Sequence, residues 1–272
     1  MKDMKVYVLN LGECYLNSTY FLLDDTAASV AEPNAPHRQL RVPFYALLID
    51  HPTEGWILYD TGAENNPDEV WTRSMLRFGR WVKPEGTEME TQLALVGVKP
   101  EDIKHVFISH LHQDHMGNAH LFKHANFYYA KKDMEMAALS LLAMDDEEVY
   151  QENFFWIREE VFMKTKSKTY IDEDIEDFFP GIDIIQLPGH TASLLGMVIH
   201  LENNTIIVTA DAINNQQNYD GMRPGAVYDS LSWDESVKKV HRLEKKYNAK
   251  VFFGHDWDQF TTKIKKAPEY YD

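Results

Sequence analysis

One cysteine, Cys14, stands in 272 residues. A single thiol excludes an intrachain disulfide framework and any zinc site built from a cysteine cluster, and it suits a reducing compartment. Basic residues are also scarce, 27 against 43 acidic ones, for a net charge of −16. Such a surface repels phosphate backbones, so no nucleic-acid partner is expected. Long apolar runs are missing too. No window approaches the roughly 18 uncharged apolar residues of a membrane span, so no membrane association is expected. The opening stretch MKDMKVYVLNLGECYLN holds only a six-residue run, VYVLNL, broken by Asn10. It lacks the apolar length and cleavage signal of a secretory leader, and the chain is expected in the cytoplasm. What remains is ordinary for a globular protein, 44% hydrophobic and 26% charged, with twelve histidines as the one oddity.

The hydrophobic pattern predicts a layered α/β protein in one domain, residues 1–272, with no linker or repeat. Strands are expected at 6–11, at 42–50 and 56–60 as a hairpin through HPTEG, and at 106–109 and 126–130. Further strands are expected at 182–187, 197–201, 205–209 and 251–254. Helices are expected over 86–97, ending at Gly97, over 132–144, and after a capping box at Ser232–Glu235. Residues 17–41 read as a long loop that can cover a site or swap onto a second copy, so a homodimer is among the expectations. The acidic stretch 145–177 reads as a helical surface insertion. Trp71 and Trp81 flank a stretch suited to wall an acyl pocket.

Chemistry concentrates in SHLHQDHMGN, where His110, His112, Asp114 and His115 fall within six residues after the strand VFIS. Divalent metals take imidazole and carboxylate ligands from several converging side chains. His110 and His112, two apart, share one side of an extended backbone, and a bend through QDHMG brings Asp114 and His115 to a neighbouring position. One loop can thus serve two adjacent metals. His190 in LPGHTAS, Asp211 in TADA and His255 in FGHD each follow a strand, where sites in α/β folds collect. Asp60 in YDTG ends a strand likewise, as a turn-capping carboxylate or as the partner of a ligand histidine. His120 and His124 are spaced i, i+4 but have no third ligand nearby in sequence.

HLHQDH, then LPGHT, DA and GHD, resembles the metallo-β-lactamase superfamily of binuclear metal hydrolases, with matching stretches from about Leu40 to Phe260. The resemblance implies a four-layer αββα sandwich holding two divalent metal ions, zinc foremost. It implies that His110, His112 and His190 bind one ion, Asp114, His115 and His255 the other, and that Asp211 bridges them. Within the superfamily, KVYVLNLG, ILYDTG, VGVKPEDI before SHLHQDH, and FGHDWDQF are similar to N-acyl homoserine lactonases. The implied activity is hydrolysis of a small-molecule lactone, with Asp114 also shuttling a proton. The alternatives are a pyridoxolactonase-type enzyme, a glyoxalase II-like thioester hydrolase, a one-iron redox member and a non-enzymatic scaffold. One position departs from the lactonase pattern: the tyrosine expected three residues after the bridging aspartate is Asn214. Tyr219, five residues on, is the other candidate donor to the substrate oxygen, with Tyr228 beyond it.

Overall fold

The computed structural model describes residues 1–23, 28–35, 38–66, 79–143 and 165–272. Its first sheet holds β1 (Lys5–Asn17), β2 (Gln39–His51), β3 (Gly55–Tyr59), β4 (Gly79–Val82), β5 (Ile103–Ile108), β6 (Asn126–Ala130), β7 (Ser167–Ile171) and β13 (Tyr270–Tyr271). The order is β13-β1-β2-β3-β5-β6-β7, with β4 pairing to β1. The second sheet runs β12-β11-β10-β9-β8, from Lys250–Phe252, Thr205–Val208, Leu195–His200, Ile182–Gln186 and Ile175–Phe179. Helices are α1 (Met89–Ala94), α2 (Gln113–Met116), α3 (Lys131–Ala143), α4 (Gln216–Tyr219), α5 (Ser230–Tyr247) and α6 (Trp257–Thr262).

The two-residue period of the strands builds the layers. Val6 and Val8 of β1, Leu47 and Ile49 of β2 and Phe107 of β5 join Ile184, Met197 and Ile206 of the second sheet in one core. Their neighbours Leu9, Leu48, Val106 and Ile108 point the other way, onto Met89 and Leu93 of α1 and Ala137 of α3. A strand apolar on both faces is buried on both, as the near-continuous runs in β2 and β5 require. Trp233, Val237 and Val240 of α5, spaced i, i+4, i+7, cover the outer face of the second sheet. This is the αββα arrangement.

Several local expectations change. Residues 167–177 are not helical: β7 pairs parallel to β6, and β8 pairs antiparallel to β9. The open edge of β6 decides for strand there, with Asn126 to Ala130 pairing residue by residue with Ser167 to Ile171. Residues 145–164 of the expected insertion, Trp71, and residues 24–27 and 36–37 of the 17–41 loop lie outside the described residues. The first strand runs on to Asn17 through a bulge after Asn10, where Gly12 takes φ +107°. The cap of α5 is Asp229, whose side chain accepts from the Leu231 N–H, and Ser232 sits inside the helix. The 52–55 hairpin turn forms as expected, with Gly55 at φ +78° and the Glu54 N–H donating to His51 Nδ1 at 3.1 Å.

Candidate metal centre

β3 and β5 run parallel, as do β11 and β12, and the C-terminal ends of these four strands meet at one edge of the sandwich. Asp60 follows β3, His110 and His112 follow β5, Asp211 lies in a 3-10 turn after β11, and His255 follows β12. His190 comes from the loop between β9 and β10. His112 precedes α2 in extended conformation, and the single turn of that helix carries Asp114 and His115 to the next position.

All seven side chains expected as ligands converge. His110, His112, His190 and Asp211 form one group and Asp114, His115 and His255 another, each with donor atoms within 4.8 Å of one another. His110 Nε2 and His190 Nε2 lie 2.9 and 3.0 Å from His112 Nδ1. Asp211 stands between the groups: its Oδ1 is 3.0 Å from His115 Nε2 and 3.1 Å from His255 Nε2, and its Oδ2 is 3.4 Å from His190 Nε2. Asp114 Oδ2 approaches His115 Nε2 at 3.6 Å and His255 Nε2 at 3.5 Å.

The backs of four rings are tied to acceptors, which fixes their tautomers. His190 Nδ1 donates to the Ala226 carbonyl and His255 Nδ1 to the Pro43 carbonyl, both at 2.9 Å. His115 Nδ1 donates to Asp60 Oδ2 at 2.8 Å. Ser109 donates its hydroxyl to the same Asp60 oxygen, so its Oγ accepts from His110 Nδ1 at 3.0 Å. Each Nε2 is thereby turned into the cluster.

The buried His115 Nε2 and Asp211 Oδ1 find no hydrogen-bond partner despite their proximity. A cavity of about 10 Å³, room for one water-sized species, is lined by Asp114, His115 and His255. Imidazole nitrogens facing one another, orphaned donors and a carboxylate between them fit a dinuclear site for divalent cations.

Electrostatics agree. Burial lowers the His112 pKa to about 3 and pushes His110 and His190 down, leaving neutral imidazoles suited to bind metal. Burial opposes charge on His115 as well, but Asp114, Asp211 and Asp60 outweigh it and raise that ring well above the ordinary value. His255 rises for the same reason, through Asp211 and Asp114. For Asp211, burial is outweighed by His255, His115 and His190, which hold its carboxyl well below the usual range. The acidic centre attracts positive charge, and protons compete with cations for it.

The loops explain their glycines. A Cβ on Gly117 would stand 2.5 Å from the Glu64 nitrogen, and one on Gly189, at φ +137°, 2.5 Å from Trp233. Trp233 donates its indole N–H to the Ala212 carbonyl at 2.7 Å, linking the His190 and Asp211 loops. Asp60 and Ala210, at φ +62° and +43°, hold left-handed backbone beside the cluster.

The expected oxygen donors fare differently. Tyr219 is not brought to the cluster: its hydroxyl donates to Glu244 of α5 and its ring lies 4.0 Å from that of His241. NNQQN starts a helix capped by Asn215, which carries the phenol to the α5 side. Tyr228 is exposed and its hydroxyl donates to Met136 Sδ at 3.8 Å. Asn214 is buried, with Nδ2 3.5 Å from the Asp211 carbonyl, while its own carbonyl accepts the His255 N–H at 2.8 Å. His120 and His124 hold backbone carbonyls of Gly117 and Ile103; His120 stands in a 3-10 segment, Ala119–Phe122, and His124 in the turn after it, so no metal-binding helix carries the pair. Trp81 stacks on Phe44 at 4.3 Å, and Phe44 meets the His255 ring edge-on at 5.4 Å. Asp133, which grips the loop after His190, was not legible: an aspartate in the first turn of a helix is ordinary helix-dipole chemistry.

The chain is 26% identical to the N-acyl homoserine lactonase AiiB of Agrobacterium fabrum, over 98% of this chain and 99% of that one. It is 28% identical to an N-acyl homoserine lactonase of Bacillus cereus, over 99% and 100%. Among solved structures, a Bacillus thuringiensis AiiA variant with N-decanoyl-L-homoserine at its active site superposes with a TM-score of 0.81 at 24% identity, covering both chains in full. The metallo-beta-lactamase superfamily pattern matches residues 43–255. With that match spanning most of the chain and the αββα fold beneath it, the chain belongs to the metallo-beta-lactamase superfamily.

Proposed function

We propose that this protein is a dinuclear, zinc-dependent hydrolase that opens the lactone ring of N-acyl homoserine lactones, acting as one domain in a reducing cytoplasm. The observation that carries the reading is the convergence of His110, His112 and His190 with Asp114, His115 and His255 around Asp211. The full-length likeness to proteins named N-acyl homoserine lactonases supports the substrate class. The lone, buried Cys14 supports the compartment.

In this reading His110, His112 and His190 hold one ion, Asp114, His115 and His255 the other, and Asp211 both. Two bound divalent cations supply a nucleophile deprotonated near neutral pH and polarise the lactone carbonyl. The residues of the chain do the rest. Asp60 and Ser109 fix the His115 and His110 rings so that the ligand atoms do not reorganise during turnover. Asp114 is half-buried, more accessible than Asp211. As a water oxygen bonds to the carbonyl carbon, Asp114 would take the proton that water gives up and deliver it to the ring oxygen, whose bond to that carbon breaks. The product is the open-chain hydroxy acid. Asn214 supports Asp211 and His255 through its amide and its backbone carbonyl.

The test is a pH-stat comparison of zinc-loaded protein on N-acyl homoserine lactone, a β-lactam and a glutathione thioester. The reading expects kcat/KM for the lactone to exceed the others by at least ~10-fold. A thioester preference would move the activity to a glyoxalase II-like reaction.

A further inference from the structure

Asp133 lies in the first turn of α3, fully buried, outside the seven-residue cluster. Its Oδ2 accepts the Thr191 hydroxyl at 2.8 Å and its Oδ1 accepts the Ser193 N–H at 2.7 Å. Both donors belong to the loop between β9 and β10, one and three residues beyond His190. Thr191 and Ser193 are themselves buried.

The loop is also held from its other sides. Leu195 N–H donates to the Ser109 carbonyl at 2.8 Å, at the loop's exit. The α5 side holds its entrance: Ser236 Oγ donates to the Pro188 carbonyl at 2.6 Å, and the Tyr228 and Asp229 N–H groups converge on the Gly189 carbonyl. On the α3 side, both anchors come from one side chain. His190 itself is fixed at Nδ1 by the Ala226 carbonyl, which sets ring rotation but leaves the backbone after it to other contacts.

A buried carboxylate is a poor choice for packing alone. Among the groups acting on its charge are two hydrogen-bond donors and no cation, and burial pushes its pKa up to about 7. A well-packed apolar residue would avoid that desolvation. Departures from local packing logic concentrate where a protein must hold a functional geometry.

We infer that Asp133 is a positioning residue for the His190 ligand: its two carboxylate oxygens, gripping Thr191 and Ser193, set where the His190 ring meets His110 and His112. This rests on the dinuclear reading above. The geometry makes a separable claim, since removing the grip changes one of two metal equivalents and leaves the ligand set intact.

The experiment titrates metal-free parent, Asp133→Ala and Thr191→Val proteins with Co²⁺ against a competing chelator while recording visible absorption. Thr191→Val removes one donor and keeps the Ser193 anchor, so it decides the matter if Asp133→Ala does not fold. The expected result is two equivalents in the parent and, in Asp133→Ala, one equivalent weakened about tenfold or more. Its Co²⁺ absorption should change with the altered His190 geometry. Thr191→Val should shift the same equivalent in the same direction by a smaller factor. Parent-like affinities and spectrum in the folded variants would overturn the inference, whatever their loss in thermal stability. A parent that binds no Co²⁺ would overturn the dinuclear reading itself.

Discussion

Asp60 accepts the Nδ1–H of His115 at 2.8 Å from a left-handed backbone position, φ +62°. The same carboxylate accepts the Ser109 N–H at 2.7 Å and its hydroxyl at 2.8 Å. One side chain thus orients His115 directly and His110 through Ser109. Asp60→Asn keeps the size and tolerates the backbone conformation. It should weaken metal binding by about 10–100-fold with little change in the fold, read by chelator competition and circular dichroism. Parent-like affinity would reduce Asp60 to a turn residue.

Asp114 is ligand-near and half-buried, so its two roles separate in one variant. Asp114→Asn should retain the fold and lose turnover by about 10²-fold or more if the carboxylate carries the proton. Metal content measured on the same sample assigns the loss. Normal kcat with weakened metal binding would leave Asp114 as a ligand only.

Tyr219 and Asn214 give opposite expectations. The Tyr219 hydroxyl is engaged with Glu244, so Tyr219→Phe should change kcat by no more than ~3-fold, or ~0.7 kcal/mol. Asn214→Ala removes the amide beside the Asp211 carbonyl and should lower metal occupancy more than Tyr219→Phe does. Kinetics at fixed metal content, with occupancy measured separately, check both. A large kcat loss confined to Tyr219→Phe would require the phenol to reach the substrate.

The convergence of the seven residues was legible because they sit in short motifs close after apolar strands: HLHQDH after IKHVFI, DA after TIIV, GHD after KVF. Strand ends fix position with little freedom, so sequence order translates into geometry. The parts that misled depend on distant partners. SKTYI is a strand because β6 offers it an edge, which charge-rich local sequence does not reveal. Asp229 caps α5 ahead of Ser232 because its own extended backbone and carboxylate meet the first turn. Tyr219 was placed by a short helix that turns it toward Glu244, and Asp133 by a loop nearly sixty residues later in the chain.

Asp133 also sets a pH signature. Its folded-state carboxyl titrates at about 7 against an ordinary 3.8, because burial opposes its charge. The folded chain therefore keeps a proton that the unfolded chain has lost, and this residue's contribution to stability falls as pH rises from about 4 to about 7. Asp133→Asn removes that dependence. In denaturant melts of metal-free protein, the variant should gain on the parent between pH 5 and pH 8. A difference between the two proteins that does not vary with pH would contradict the burial argument.

The most direct measurement is metal content per chain in purified, zinc-reconstituted parent, His112→Ala and His190→Ala proteins, with lactone hydrolysis on the same samples. The convergence of three imidazoles on one side and Asp114, His115 and His255 on the other predicts two zinc ions in the parent. It predicts less than two, with hydrolysis abolished, in either variant. Full activity in His112→Ala, or a parent that hydrolyses lactone without metal, would contradict the dinuclear account.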